Sequence, residues 1–294
     1  MVRQRRVALA TSARYPDLPG EERLVIPALA ECGAVGEPVV WDAADAAWAT
    51  FDAVVIRSCW DYHLKVDAFL AWLERVARLG VPVLNSPRLI RWNSDKRYLV
   101  ELARRGVTIV PTQVIQRGTE DPAAALLQAL DRLTTEEAVV KPAVSASAHG
   151  TWRTSRARAA ADASAFKALV AAGDVLVQPF VPVVGQAGEW SVVCLGGTPS
   201  HTVLKRPAPG DWRVQGELGG TAQRLAMPEG ALQEAQQVLT AAEARGATYA
   251  RVDGCVIGGR FVLMELELIE PQLYLSLEPD AAARFARAIV EALD

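Results

Sequence analysis

Three acidic residues near the C-terminus have the spacing of a metal-binding hairpin. Asp253 precedes the Gly258–Gly259 turn, and Glu265 and Glu267 follow it. Side chains two residues apart on a strand share a face, so Glu265 and Glu267 project together, and strand pairing can bring Asp253 beside them. Three carboxylates without a His or Cys suit a hard cation such as Mg²⁺. A solvated surface hairpin is the alternative, but the apolar neighbours in 262–269 favour a buried site.

Lysine is rare in this chain, which otherwise uses arginine as its basic residue. Lys65 and Lys167 lie in polar, helical surroundings and are expected to be solvated. Lys96 is expected at the start of a helix, Lys141 ends an apolar strand, and Lys205 lies in a Pro- and Gly-rich segment. Because lysine is a compact, flexible point charge, these last three are candidates to bind phosphate oxygens. A charge on a helix surface is the alternative for Lys96.

Composition excludes several classes of protein. The 294 residues carry a net charge of −3 with dispersed basic residues, so nucleic acid is not an expected partner. No apolar run approaches the roughly 20 residues that cross a bilayer, and the N-terminal apolar stretch is short for a secretory signal. We therefore expect a soluble, cytoplasmic protein with no membrane partner. The four cysteines are scattered, which favours buried free thiols over disulfides or a zinc site.

The order of predicted elements indicates an α/β (α+β) protein with three regions. In residues 1–93, strands at 5–10, 38–41, 51–56 and 81–84 alternate with helices at 21–31 and 67–79, as in a doubly wound parallel sheet. Residues 94–180 read as a small lid, with one helix from Ser94 or Asp95 to Arg105, further helices at 122–133 and 160–171, and strands at 112–115, 138–141 and 175–179. Residues 181–294 read as an antiparallel β/α region with helices at 230–245 and 280–293.

From about Asn93 to the C-terminus the chain resembles the ATP-grasp superfamily. The run from Lys205 to Gln215, followed by Gly219-Gly220, is similar to a motif of prokaryotic glutathione synthetase. The segments RSCWDYH (57–63) and ELELIEP (265–271) also resemble the family of cyclo-ligases that make D-cycloserine from O-ureido-D-serine. The resemblance implies an ATP-grasp fold preceded by a small α/β domain.

The resemblance also implies an ATP site. Lys96 and Lys141 would bind phosphate oxygens, the main chain of Gln178, Pro179, Phe180 and Val181 would contact adenine, and Glu189 would hold the ribose. The small-residue loop allows Ser145 and Ser147 to approach phosphate, although a plain loop explains it nearly as well. With ATP as a tetra-anion, three acids and three lysines, two Mg²⁺ ions would balance the charge, and Mn²⁺ is an acceptable substitute.

Catalytic and substrate residues follow from the same resemblance. Lys205 and Arg213 would stabilise the transferred phosphoryl group, and Arg213 would also lie near the substrate carboxyl. Arg57, Asp61 and Tyr62 end a buried strand, where ligands of parallel sheets gather, although Tyr62 can equally pack an interface. Glu270 is expected near the acceptor amine, where it could bind a cation or accept a proton.

Two departures bear on the substrate. Glu267 stands where glutathione synthetases have Asn, and Trp190-Ser191 replaces a basic dipeptide, which argues against a glutathione-like substrate. We expect an ATP-dependent carboxylate–amine ligase that works through an acyl phosphate on a small-molecule substrate, specifically cyclisation of O-ureido-D-serine. A ligase joining two molecules, a small-molecule kinase and a non-catalytic nucleotide-binding module are the alternatives. A homodimer is expected at the family level.

Overall fold

The computed structural model describes residues 3–294, which contain three β-sheets. The boundaries predicted at 93/94 and 180/181 fall between elements of different sheets. Three hydrophobic cores are nevertheless shared between regions, so the division into three domains stays a prediction.

The N-terminal sheet is parallel, with strand order β2-β1-β3-β4. Its elements are β1 (Arg5–Thr11), α1 (Val25–Glu31), β2 (Ala34–Val40), β3 (Ala53–Ser58), α2 (Val66–Arg78), β4 (Val83–Leu84) and α3 (Pro87–Asn93). Successive residues of β1 face opposite layers: Val7 and Leu9 join the core with α1, and Ala8 and Ala10 join the core with α2. Helices on both faces confirm the predicted doubly wound arrangement.

The helix predicted to begin at Ser94 or Asp95 begins later. Residues 94–97 form a turn between α3 and α4 (Tyr98–Arg104). The Asp95 side chain accepts from the backbone N–H of Arg97 (2.9 Å), and the backbone N–H of Lys96 donates to Ala143 (2.7 Å). The first bond stabilises the turn and the second ties it to the lid, so the helix begins only after them. The preceding α3 was missed, although Ser86 caps it and Pro87 opens it.

The lid sheet is antiparallel, with strand order β5-β8-β6-β7. Its elements are β5 (Gln113–Ile115), α5 (Pro122–Leu133), β6 (Glu137–Pro142), β7 (Trp152–Ser155), α6 (Ala159–Ala172) and β8 (Val175–Pro179). Leu126 and Leu130 of α5 and Phe166 of α6 pack on the sheet through Val140 and Val177. The predicted α+β lid is present, and β7 is the strand that the sequence did not indicate.

The C-terminal sheet is antiparallel, with strand order β11-β10-β9-β12-β13. Its region contains α7 (Val183–Ala187), β9 (Glu189–Leu195), β10 (Thr198–Arg206), β11 (Thr221–Arg224), α8 (Glu229–Ala241), β12 (Tyr249–Ile257), β13 (Arg260–Glu267) and α9 (Ala281–Glu291). Helix α7 lies just before Glu189, and the sequence analysis did not predict it. Short 3-10 helices complete the chain at Gly20–Leu24, Trp48–Thr50, Tyr62–Lys65, Arg156–Arg158 and Gly216–Leu218.

Shared cores hold the sheets in fixed relation. Leu99 and Leu102 of α4 pack with Val252 of β12, and Phe285 of α9 packs with Tyr249 of β12 and with Val55 of the N-terminal sheet. The four cysteines are free thiols, and Cys32 alone among them is not fully buried. Within residues 3–294, no helix has the length and apolarity needed to cross a membrane.

Candidate active site

A cavity of about 490 Å³ lies where the three regions meet. The lid contributes Lys141, β13 contributes Glu265, and the 3-10 helix after β3 contributes Tyr62. Every residue that the sequence predicted to bind ATP, metal, substrate or the transferred phosphoryl group lines this cavity, except Arg57 and Asp61. The fold therefore brings together side chains that are far apart in the sequence.

The acidic hairpin is paired as the sequence predicts. β12 and β13 are antiparallel, with Asp253 opposite Glu265 and Arg251 opposite Glu267. β12 is also bonded to β9 on its other side, so Asp253 lies in the interior of the sheet and is only 2% exposed. The three acids line one cavity, and their role as metal ligands stays a prediction.

Asp253 is the centre of a buried ion network. It accepts hydrogen bonds from Arg251 Nη2 (2.8 Å), Lys205 Nζ (3.1 Å) and Ser191 Oγ (2.7 Å). Burial opposes ionisation, but Arg251 and Lys205 outweigh it and hold the pKa of Asp253 well below its usual range. Asp253 is therefore a permanent anion at neutral pH.

The two glutamates of β13 have different surroundings. Lys96 Nζ lies 3.0 Å from Glu265, and despite burial Lys96 and Lys141 lower the pKa of that carboxyl. Glu267 pairs with Arg251. Burial, together with the negative charges of Asp253 and Glu265, raises the pKa of Glu267 to about 7 even with Arg251 beside it. The positive charge around Glu267 is therefore too small to stabilise its ionised form fully.

The carboxylate oxygens of the three acids suit Mg²⁺, although each carboxylate also contacts a basic side chain. Among residues 3–294, no three His, Cys, Asp or Glu side chains are grouped as a ready-made metal site. Asp253, Glu265 and Glu267 nevertheless offer only carboxylate oxygens, the ligands that Mg²⁺ prefers. The raised pKa of Glu267 also shows a local deficit of positive charge, which a divalent cation would supply.

The two lysines predicted to reach phosphate differ in their partners. Lys96 is bonded to Glu265 and to the backbone carbonyl of Ser145. Lys141 has no hydrogen bond or ion pair within residues 3–294, and burial, with Lys96 nearby, lowers its pKa. Ser145 is buried and its hydroxyl donates to Pro142 (3.3 Å), whereas Ser147 is exposed. Lys141 is therefore a cation that faces the cavity without an acid of its own.

The residues predicted for the adenosine moiety form one side of the cavity. Gln178 donates to Thr112 Oγ1 (2.8 Å), and Phe180 stacks under the Arg153 guanidinium at 3.8 Å from the ring centroid. Glu189 lies opposite Lys205 in the β9–β10 pairing, and their charged atoms are 2.5 Å apart. Burial raises the pKa of Glu189 in spite of Lys205. The sequence predicted Glu189 and Lys205 separately but not their pairing.

Arg213 forms a fork with Asp211. Its Nε and Nη2 donate to the two carboxylate oxygens at 3.1 and 2.9 Å, and one third of its side chain is exposed. Asp211 is the ion-pair partner of Arg213. Arg213 has to leave this partner, or share it, to reach a phosphoryl group.

Arg57 and Asp61 are corrections to the predicted substrate site. Arg57 is 0% exposed and outside the cavity, because its guanidinium pairs with Glu22 and donates to the Pro271 carbonyl (2.9 Å). Asp61 also lies outside, since it accepts from Trp41 Nε1 (3.0 Å) and pairs with Lys65. Both side chains are therefore engaged by protein partners and do not line the cavity.

Several charged or aromatic groups of the site were not predicted from the sequence. Arg251 was detectable, because a charged residue two positions before Asp253 on an apolar strand shares its face. Glu22 and Tyr274 also line the cavity. Glu22 sits in the 3-10 helix Gly20–Leu24 and gave no local signal, since only the tertiary fold places it beside Arg57.

Known proteins with this architecture identify the family. The family described as "D-cycloserine synthetase DcsG, N-terminal domain" matches residues 7–85. The cycloserine biosynthesis protein DcsG of Streptomyces lavendulae is 31% identical over 281 residues, which are 91% of this chain and 93% of that protein. The chain belongs to the DcsG family of ATP-grasp ligases.

Solved structures agree with membership of the DcsG family. The crystal structure of the D-cycloserine synthetase DcsG superposes with a TM-score of 0.90 at 30% identity, covering 98% of this chain and all of that one. The D-alanine–D-alanine ligase of Bacillus anthracis, solved in complex with ATP, gives a TM-score of 0.69 at 14% identity, with 98% of this chain and 97% of that chain covered, and shows the shared fold alone. The predicted ATP-grasp fold and ligase class are confirmed.

Proposed function

We propose that this ligase uses ATP to activate the carboxylate of O-ureido-D-serine and closes the ring of D-cycloserine. A carboxylate oxygen attacks the γ-phosphorus of ATP, and ADP leaves. The nitrogen bonded to the side-chain oxygen then attacks the acyl phosphate, the C–N bond forms, and phosphate leaves with the acyl oxygen. The carbamoyl group on that nitrogen departs by uptake of one water, as carbon dioxide and ammonia.

The lack of an acid partner for Lys141 is the observation that supports the proposal. Its ammonium group has no acid partner, whereas the other charged residues proposed to bind phosphate or metal are engaged in ion pairs. An ammonium group that is partly buried without a counter-ion is unfavourable. The phosphates of ATP supply the missing anion, and the resemblance to ATP-grasp ligases assigns the same role to this strand-ending lysine.

The other residues have roles that follow from their places around the cavity. Lys96, with Ser145 and Ser147 in the neighbouring loop, would border the phosphates, and the segment 178–181 would contact adenine. Glu189 would hold the ribose. Because Glu189 is bonded to Lys205, nucleotide binding would loosen this pair and direct Lys205 toward the transferred phosphoryl group.

The acids would hold the magnesium. Asp253, Glu265 and Glu267 are the proposed ligands of two Mg²⁺ ions, with Mn²⁺ as a substitute. When bound, the metal supplies positive charge that offsets the phosphate oxygens. Arg251 and Lys205 keep Asp253 ionised and ready to bind. Arg213 would move from Asp211 to the developing negative charge on the acyl phosphate.

A product screen tests the proposal. The purified protein is incubated with ATP, Mg²⁺ and O-ureido-D-serine, and ADP, phosphate and the product mass are measured. Equal amounts of ADP, phosphate and D-cycloserine are expected. A stable phosphorylated product would identify a kinase, and turnover only after addition of a second amine would identify a ligase that joins two molecules. Either result would overturn the cyclisation.

A further inference from the structure

Glu270 is a buried acid without a partner. It is 8% exposed and lines the cavity. Within residues 3–294 its carboxylate makes no hydrogen bond and no ion pair. Its backbone is fixed, because its carbonyl accepts from Trp60 Nε1 (3.1 Å) and the next carbonyl, of Pro271, accepts from Arg57 (2.9 Å). A rigid segment therefore holds an uncompensated carboxylate against the cavity.

The neighbouring basic groups are already engaged. Lys96 pairs with Glu265, and Arg251 pairs with Asp253 and Glu267. The charges of Lys96 and Arg251 are therefore already compensated by acids other than Glu270. A carboxylate buried in this way needs a positive partner, and the chain supplies none to Glu270.

A second acid, Glu22, forms part of the same wall of the cavity but is paired with Arg57. Glu22 lines the same cavity, and one of its oxygens accepts from Arg57 Nε (2.7 Å) while the other makes no hydrogen bond. The same guanidinium bonds the Pro271 carbonyl, so Glu22 lies one side chain away from the Glu270 segment. Trp60 and Tyr62 complete this wall, and aromatic faces also attract cations.

We propose that Glu270 binds the α-ammonium group of an amino-acid substrate. This rests on the proposed function, in which the substrate is an amino acid whose α-nitrogen is not consumed. A protonated amine has no lone pair, so holding it as ammonium prevents it from attacking an acyl phosphate. Glu270 then determines both which substrates bind and which nitrogen reacts.

Direct binding tests this role without requiring turnover. The ligands are O-ureido-D-serine and the analogue in which hydrogen replaces the α-amino group, titrated calorimetrically into protein saturated with MgADP. The unmodified protein is expected to bind the amino acid at least 10-fold more tightly than the analogue. Glu270→Gln should reduce this preference to about 2-fold or less, and Glu270→Asp, which keeps the charge, should retain more of it.

Glu217→Gln is the matched control, because Glu217 lines the same cavity but is exposed. It should keep the full preference, and each variant should keep the MgADP affinity of the unmodified protein, which shows that it is folded. Equal binding of the two ligands by the unmodified protein, or an unchanged preference in Glu270→Gln, would overturn the inference.

The same titrations separate this inference from the proposed function. If the unmodified protein binds the amino acid with the expected preference but releases no D-cycloserine, the ammonium subsite stands and cyclisation fails. If cyclisation occurs and Glu270→Gln lowers kcat for both ligands without changing their relative affinity, Glu270 acts elsewhere and the ammonium subsite fails. If neither ligand binds, both proposals fail.

Discussion

Lys141 on β6 and Glu270 after β13 face one cavity, and neither is paired with an opposite charge among residues 3–294. The other predicted phosphate and metal residues with charges are engaged in ion pairs. Ligands that bring a negative group to Lys141 and a positive group to Glu270 would compensate both residues. ATP and an amino acid form such a set.

Lys141→Met should lower kcat/KM for ATP at least about 100-fold, because a charge-assisted contact to phosphate is lost. The ligand-free variant should be as stable as the unmodified protein or more stable, since burial already disfavours the charge of Lys141. Steady-state kinetics and thermal unfolding measure the two effects. Lys167→Met, at an exposed lysine of α6, should change neither. If the Lys141→Met variant were active but less stable than the unmodified protein, Lys141 would stabilise the fold and would not bind ATP.

The stability of the ligand-free protein should fall as the pH rises from about 5 to 8. Burial, with Glu267 nearby, raises the pKa of Glu270 from 4.5 to about 8. Over that interval the unfolded chain loses a proton that the folded chain retains, so ionisation favours unfolding. Glu270→Gln removes this contribution, and its gain in Tm over the unmodified protein should be larger at pH 8 than at pH 5, by roughly 2 °C or more. A pH-independent difference would contradict the raised pKa.

Arg57→Met should destabilise the protein by about 3–5 kcal/mol, because it leaves Glu22 buried and unpaired. Adding Glu22→Leu should restore part of the loss. Denaturant unfolding of the single and double variants measures both effects. If Arg57 contacted substrate instead, the single variant would unfold normally and show only a higher substrate KM.

Removal of the metal should stop turnover, and Mg²⁺ or Mn²⁺ should restore it. Glu265→Gln should raise the Mg²⁺ concentration for half-maximal rate about 10-fold or more, because a charged ligand is lost. Glu229→Gln, an exposed acid at the start of α8, is the control and should leave that concentration unchanged. Turnover that persists in excess chelator would show that the reaction does not require the metal.

The sequence predicted most of the fold because local patterns determine it. Strand alternation and turn residues were sufficient to predict the hairpin and the proximity of its acids. The Gly258–Gly259 turn alone would place Asp253 opposite Met264, and an irregularity between Asp253 and Gly254, which the sequence did not indicate, shifts its partner to Glu265. The predicted start of α4 was wrong because the backbone N–H of Lys96 donates to Ala143 of the lid. This is a tertiary contact for which the local sequence gives no signal.

The electrostatics of the site were harder to predict for the same reason. Lys205 and Glu189 were singled out one by one, but their pairing depends on strand register. Arg57 was placed with the substrate because it ends a buried strand. Its true partner, Glu22, comes from another segment that only the folded chain brings to it.

Isotope transfer from substrate to phosphate tests the central claim most directly. O-ureido-D-serine carrying ¹⁸O in its carboxylate is incubated with ATP, Mg²⁺ and the protein, and the released phosphate is examined by mass spectrometry. Carboxylate activation through an acyl phosphate predicts one ¹⁸O atom in each phosphate formed. Phosphate without ¹⁸O, released along with ADP and product, would contradict the account.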